Sequence, residues 1–105
     1  MDPTTVPERR NELQVLDVRE DDEWAAGLNR GARHIPLGEL SARADELDRN
    51  RPTVTVCRSG GRAGKATELL TQAGWTAQTM AGGFTAWAGT GLPVTTPQGG
   101  PGRVA

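Results

Sequence analysis

The residues with the clearest chemical capacity lie around Cys57, the only cysteine in the 105-residue chain. The apolar run TVTVC (53–57) ends at this cysteine, and a glycine-rich, basic stretch, RSGGR (58–62), separates it from a helical pattern. The backbone N–H groups of such a loop, together with the positive end of the following helix dipole, favour a thiolate over a thiol. A thiolate here is a nucleophile, and Arg58 and Arg62 supply positive charge for an anionic substrate.

Two other interpretations of this stretch are weaker. The segment SGGRAGKA (59–66) resembles the phosphate-binding pattern G-x-x-x-x-G-K-[ST], but Ser59 replaces the first glycine and Ala66 replaces the Mg²⁺-binding hydroxyl. A buried, inert strand cysteine is the second interpretation, and the composition of the loop favours the reactive cysteine instead. Because there is a single cysteine, a dithiol redox motif and an internal disulfide are excluded.

Short strands and helices alternate along the chain and place Cys57 at the end of a strand. Apolar runs predict strands at 13–18, 32–36, 53–57 and 77–80, and helical spacing or capping residues predict helices at 23–26, 37–48, 63–73 and 82–89. This alternation predicts an α/β fold in which a small central parallel β-sheet carries helices on both faces. Functional loops of such sheets lie at the carboxyl ends of the strands, where Asp17 and Arg19 also fall.

Composition limits the organisation and the partners of the chain. Twelve basic residues oppose thirteen acidic ones, so we expect no nucleic-acid partner. No stretch approaches the ~18 apolar residues of a membrane span, and the first residues lack a signal-peptide pattern, so we expect no membrane partner and a cytoplasmic location. Residues 1–12 and 95–105 are rich in polar residues, proline or glycine. They predict a loose N-terminal arm and a disordered C-terminal tail around one domain at 13–94.

Five separated pieces of the sequence resemble a single-domain rhodanese. They are VLDVRE (15–20) with EWAAG (23–27), HIPLGEL (34–40), VCRSGGRAGKA (56–66), AGW (73–75) and MAGGFTAWAGTGLPV (80–94). The resemblance covers residues 13–94 and implies the α/β fold already predicted. It also implies a thiosulfate sulfurtransferase that needs no cofactor and no metal.

The resemblance implies a role for each residue of the site. Cys57 attacks the sulfane sulfur of an anionic donor such as thiosulfate and carries it as a persulfide until a thiol or cyanide accepts it. The loop binds the substrate through Arg58, Ser59, Gly60, Gly61 and Arg62. Asp17 orients the loop backbone, and Arg19 makes a structural ion pair. Gly82 and Gly83 let a neighbouring loop approach the pocket.

One departure and three alternatives accompany this resemblance. Family members often read G-H-I-P-G-A after the first helix, whereas this chain reads GLNRGA (27–32), which affects access or partner choice.

Certain dual-specificity phosphatases share a similar fold but use C-x5-R, and Arg62 gives the shorter C-x4-R, which suits sulfur better than phosphate. Binding modules of the family commonly lack the cysteine. A protein donor or acceptor in a sulfur relay stays open. His34, the only histidine, is expected to be structural.

Overall fold

Four apolar segments form the central sheet of the computed structural model, which describes residues 1–105. The strands are β1 (Gln14–Asp17), β2 (Arg33–His34), β3 (Thr53–Val56) and β4 (Ala77–Thr79). All neighbours in the order β2-β1-β3-β4 are parallel. The predicted α/β class with a small parallel sheet is therefore confirmed, and every strand points its carboxyl end towards the same edge.

The helices cover both faces of this sheet. They are α1 (Thr5–Glu8), α2 (Asp21–Ala26), α3 (Leu40–Arg43), α4 (Gly61–Gln72) and α5 (Gly83–Gly89). Short 3₁₀ turns at Leu37–Glu39 and Ala44–Glu46 flank α3, so the single helix predicted for 37–48 is divided. Apolar residues three apart, such as Leu37 and Leu40, suit a 3₁₀ turn, in which residues i and i+3 lie on one face. None of the helices is long and apolar enough to cross a membrane.

The alternating faces of the strands produce two cores. One core lies between the sheet and α3 and α4; its buried members include Leu16, Val18, Ile35, Cys57, Ala63, Ala66 and Leu70. The other lies beneath α1 and α5; its buried members are Val6, Leu13, Val15, Val54, Val56, Met80, Phe84 and Trp87. Cys57 thus follows β3 on the α4 side of the sheet, which directs its side chain towards the beginning of that helix.

Both terminal segments pack against the domain, where the sequence led us to expect a loose arm and a disordered tail. In the first segment Val6 is fully buried, and the Met1 ammonium donates to the Thr79 carbonyl over 2.8 Å. In the last segment Thr95 exchanges backbone hydrogen bonds with Leu28. Val104 packs on the second core. A few apolar residues in each segment supply contacts that proline and glycine content does not reveal.

Candidate active site

The Cys57 sulfur lies in a cradle of backbone amides directly after β3. Its Sγ accepts hydrogen bonds from the Gly60 amide at 3.0 Å and from the Ala63 amide at 3.4 Å. Gly60 has a φ of +126°, which L side chains rarely adopt, and this conformation helps the chain turn back over the sulfur. The residue is only 1% exposed, so a reactant has to enter the cradle to meet Sγ.

Four further amides of the loop that follows Cys57 have no acceptor within the protein. They belong to Arg58, Ser59, Gly61 and Arg62. Gly61 and Arg62 open the twelve-residue helix α4, whose first N–H groups have no intrahelical partner and lie at the positive end of its dipole. Together with the two amides already on Sγ, these donors can hold negative charge that develops on or next to the sulfur.

The beginning of α5 fixes the near end of the loop. Phe84 N donates to the Cys57 carbonyl at 2.8 Å, and Thr85 donates to the Arg58 carbonyl from its amide at 3.0 Å and its hydroxyl at 2.9 Å. A Cβ on Gly83, where φ is +64°, would lie 2.6 Å from the Arg58 oxygen. A Cβ on Gly82 would instead meet Ala86 of its own helix at 2.6 Å. Gly83 is therefore the glycine that permits close approach to the loop.

The two loop arginines have different surroundings. Arg62 donates from both terminal nitrogens to the Glu23 carboxylate of α2, at 2.5 and 2.9 Å. This hydrogen bonding lowers the pKa of Glu23 from 4.5 to about 2. The same bonds raise the pKa of Arg62 further above its usual range. Arg58 is exposed and forms no ion pair, so its charge is the one left uncompensated at the site.

A second, fully buried ion pair lies between the sheet and α5. Arg19 binds the Asp17 carboxylate through three side-chain hydrogen bonds of 2.8 to 3.1 Å. It also donates to the Gly27 carbonyl at 2.6 Å, and its guanidinium carbon lies 4.5 Å from the centroid of the Phe84 ring. The hydrogen bonds of the Asp17 carboxylate all go to Arg19 and none reaches residues 58–62. The pair supports the edge of the sheet rather than the loop itself.

His34 has no contact with the sulfur cradle in the structure. Its ring is stacked on Trp24 with centroids 5.2 Å apart, and Nε2 lies 2.7 Å from the Arg19 carbonyl oxygen. These contacts join the end of β2 to α2 and to the segment after β1. The placement agrees with a structural histidine.

Sequence reasoning missed three contributors to the cradle. Glu23 holds Arg62, Ala63 supplies the second amide to Sγ, and the Thr55 hydroxyl donates to the Ala63 carbonyl at 3.0 Å. The role of the Ala63 amide could have been predicted from its position in the first turn of α4, because the first amides of a helix have no intrahelical acceptor. The side-chain pairing of Glu23 with Arg62 joins residues 39 apart and has no local pattern.

The family model described as "Rhodanese-like domain" matches residues 2–90. The chain is 36% identical to the putative sulfurtransferase YtwF of Bacillus subtilis, over 82% of this chain and 84% of that protein. It is 32% identical to the thiosulfate sulfurtransferase GlpE of Pseudomonas putida, over 89% and 90%. A crystal structure of a rhodanese-related protein from Thermoplasma volcanium matches with a TM-score of 0.86 and 30% identity, over 90% and 95% of the two chains.

Proposed function

The chain belongs to the rhodanese-like domain family of sulfurtransferases, and from that premise we propose that it moves sulfane sulfur from thiosulfate to a thiol through a persulfide on Cys57. The observation that carries the proposal is the cradle, in which two backbone amides already donate to Sγ and four more have no protein acceptor. The name of the Pseudomonas putida relative supports thiosulfate as the donor.

The proposed reaction consists of two displacements at sulfur. The Cys57 thiolate attacks the terminal sulfur of thiosulfate, the S–S bond of the donor breaks, and sulfite leaves with the electron pair. An acceptor thiolate, or cyanide in an assay, then attacks the terminal sulfur of the persulfide and releases the Cys57 thiolate. No net oxidation occurs, because the sulfane sulfur passes unchanged in oxidation level from donor to acceptor.

The loop contributes electrostatic stabilisation to both steps. In this mechanism the unpaired amides of Arg58, Ser59, Gly61 and Arg62 stabilise the charge that develops on the persulfide and on the departing sulfite, as donors of an oxyanion hole do. Thiosulfate is a dianion that approaches a thiolate, and the uncompensated Arg58 lowers this repulsion. Arg62, bound to Glu23, acts mainly by holding the first turn of α4 in place.

The same geometry argues against phosphate chemistry. A phosphatase of related fold needs an arginine whose fork faces the phosphate oxygens at the far end of the loop. Here the C-x4-R spacing makes a shorter loop, and the two terminal nitrogens of Arg62 are engaged by Glu23. The small amide cradle around Sγ suits a single sulfur atom.

A turnover assay with Cys57→Ser tests the proposal. The variant should lose thiosulfate:cyanide sulfur transfer to the uncatalysed background, because no other thiol exists to hold the intermediate. Circular dichroism and the urea midpoint serve as the control for folding, since serine is close in size to cysteine. Thiocyanate formation well above background by the folded variant would refute the role of Cys57.

A further inference from the structure

Three segments without an assigned role meet at a cavity on the α1 and α5 side of the molecule. They are the N-terminal segment, residues 28–30, which differ from the family pattern (called the altered segment below), and the chain that follows α5. The cavity has a volume of about 480 Å³, and its walls include Arg10, Asn29, Arg30, Trp87, Leu92 and Pro93. None of these residues belongs to the Cys57 cradle. The volume lies within the range of roughly 300–1,000 Å³ that is typical of small-molecule sites.

The wall of this cavity carries two positive charges and no acidic residue. Neither Arg10 nor Arg30 forms an ion pair. Arg10 instead donates to the Arg30 carbonyl at 2.6 Å and to the Asn29 Oδ1 at 2.7 Å. These bonds hold the altered segment in place and leave both charges without a counter-ion, so the cavity favours an anion.

The wall also contains buried polar atoms that lack partners. Asn29 is 3% exposed, and its Nδ2 has no hydrogen-bond acceptor in the protein. A guanidinium can only donate, so Arg10 fixes the amide with the oxygen towards itself and Nδ2 turned away. The Thr95 hydroxyl, on the same wall, is likewise buried without a partner. Both atoms belong to residues that line the cavity, so an oxygen acceptor bound beside them would supply the missing partner.

The remaining lining residues include an apolar surface. Trp87 has its indole N–H bound to the Pro93 carbonyl at 2.7 Å, so its ring contributes only apolar surface, next to Leu92. We propose that the cavity binds a small organic anion, with a carboxylate between Arg10, Arg30 and Asn29 and an apolar ring or chain against Trp87 and Leu92. This assignment does not depend on sulfur transfer at Cys57.

Phenylacetate is a suitable probe because it carries both a carboxylate and an apolar ring. Its binding is followed by the NMR signal of the Trp87 indole N–H, identified by its loss in Trp87→Phe, and by calorimetry. We expect saturable binding of phenylacetate and at least tenfold weaker binding of the neutral phenylacetamide and of acetate, which lacks the ring. Absence of saturation by phenylacetate overturns the site. Equal binding of phenylacetamide overturns the anion preference, and equal binding of acetate overturns the apolar wall.

Two variants and a matched control locate the binding. Arg30→Ala should weaken phenylacetate about ten- to hundredfold, which is the loss expected for a charge-assisted hydrogen bond. Asn29→Asp keeps the contact with Arg10 but removes the donor and adds a negative charge, so it should abolish binding. Arg9→Ala removes the same charge one residue away from Arg10 and outside the cavity, and should leave affinity within about twofold. Equal losses in Arg9→Ala and Arg30→Ala would overturn the proposal.

Discussion

Two ion pairs lie close to the Cys57 loop, and they differ in burial. Asp17 and Arg19 have side chains that are 2% and 0% exposed, whereas Glu23 and Arg62 are 18% and 35% exposed. The first pair joins residues two apart at the end of β1. The second joins α2 to α4 across 39 residues of sequence. The buried pair therefore stabilises the edge of the sheet, and the partly exposed pair sets the position of the loop that follows Cys57.

This difference shows that two arginine–carboxylate pairs at the same edge of the sheet serve two purposes, folding stability and loop position. A buried ion that loses its partner has no water to replace it, so the Asp17–Arg19 pair is tied to folding. Solvent screens the Glu23–Arg62 pair, so its effect on stability is smaller. Its dependence on pH comes from the lowered pKa of Glu23. Arg58 has no acidic partner and stands outside both pairs, so in the proposed reaction its charge is the one available to the donor.

The largest effect on stability is expected from Arg19→Leu. The substitution leaves the Asp17 carboxylate buried without its counter-ion and frees the Gly27 carbonyl, so the free energy of unfolding should fall by about 3–5 kcal/mol. Urea denaturation followed by circular dichroism measures the change.

The double variant Asp17→Asn with Arg19→Leu is the control for that loss. It removes the stranded charge and should recover part of the lost stability, because a neutral amide is easier to bury than a carboxylate. Equal destabilisation by the single and double variants would mean that the lost packing of Arg19, rather than the unpaired charge, dominates.

A smaller and pH-dependent effect is expected from Glu23→Gln. The amide can still accept from the Glu20 N–H but no longer pairs with the charge of Arg62, so stability near neutral pH should fall by about 1–2 kcal/mol, between the values for exposed and buried pairs. Because the folded pKa of Glu23 lies below its ordinary value, the extra stability of wild type over Glu23→Gln is complete above pH 4.5. It disappears as the pH falls through that value towards about 2.

Urea midpoints of wild type and Glu23→Gln across that pH range measure the dependence. A double-mutant cycle with Arg62→Ala isolates the pair from the other contacts of each residue, and additive losses would show that the two side chains do not interact. A difference between wild type and Glu23→Gln that stays constant down to the lowest pH would contradict the shifted pKa.

The smallest effect on stability is expected from Arg58→Ala. Its side chain is exposed and unpaired, so the free energy of unfolding should change by less than about 0.5 kcal/mol. Sulfite release in a stopped-flow experiment should nevertheless slow about tenfold or more, because a charge near the approaching dianion is lost. Lys65→Ala, which removes an exposed charge further along α4, is the matched control. Unchanged sulfite release in Arg58→Ala would indicate that this charge does not guide the donor.

The sequence allowed prediction of the parallel sheet, and it identified the loop at Cys57 as the candidate site. Buried runs such as 53–57 and the glycine-rich turn after them are local patterns that fix a strand, a bend and a helix start. The partner of Arg62 was not predictable, because Glu23 reaches it only after α2 and α4 have packed on the sheet. The packed termini depend on single residues such as Val6, whose burial is decided by tertiary contacts.

The intact mass of the protein before and after treatment with thiosulfate tests the central claim most directly. Wild type should gain the mass of one sulfur atom and lose it again on addition of cyanide, with thiocyanate released in equal amount. Cys57→Ser should gain nothing under the same conditions. A wild-type chain that remains unmodified by thiosulfate, or a sulfur adduct that persists in folded Cys57→Ser, would contradict a persulfide held by the Cys57 cradle.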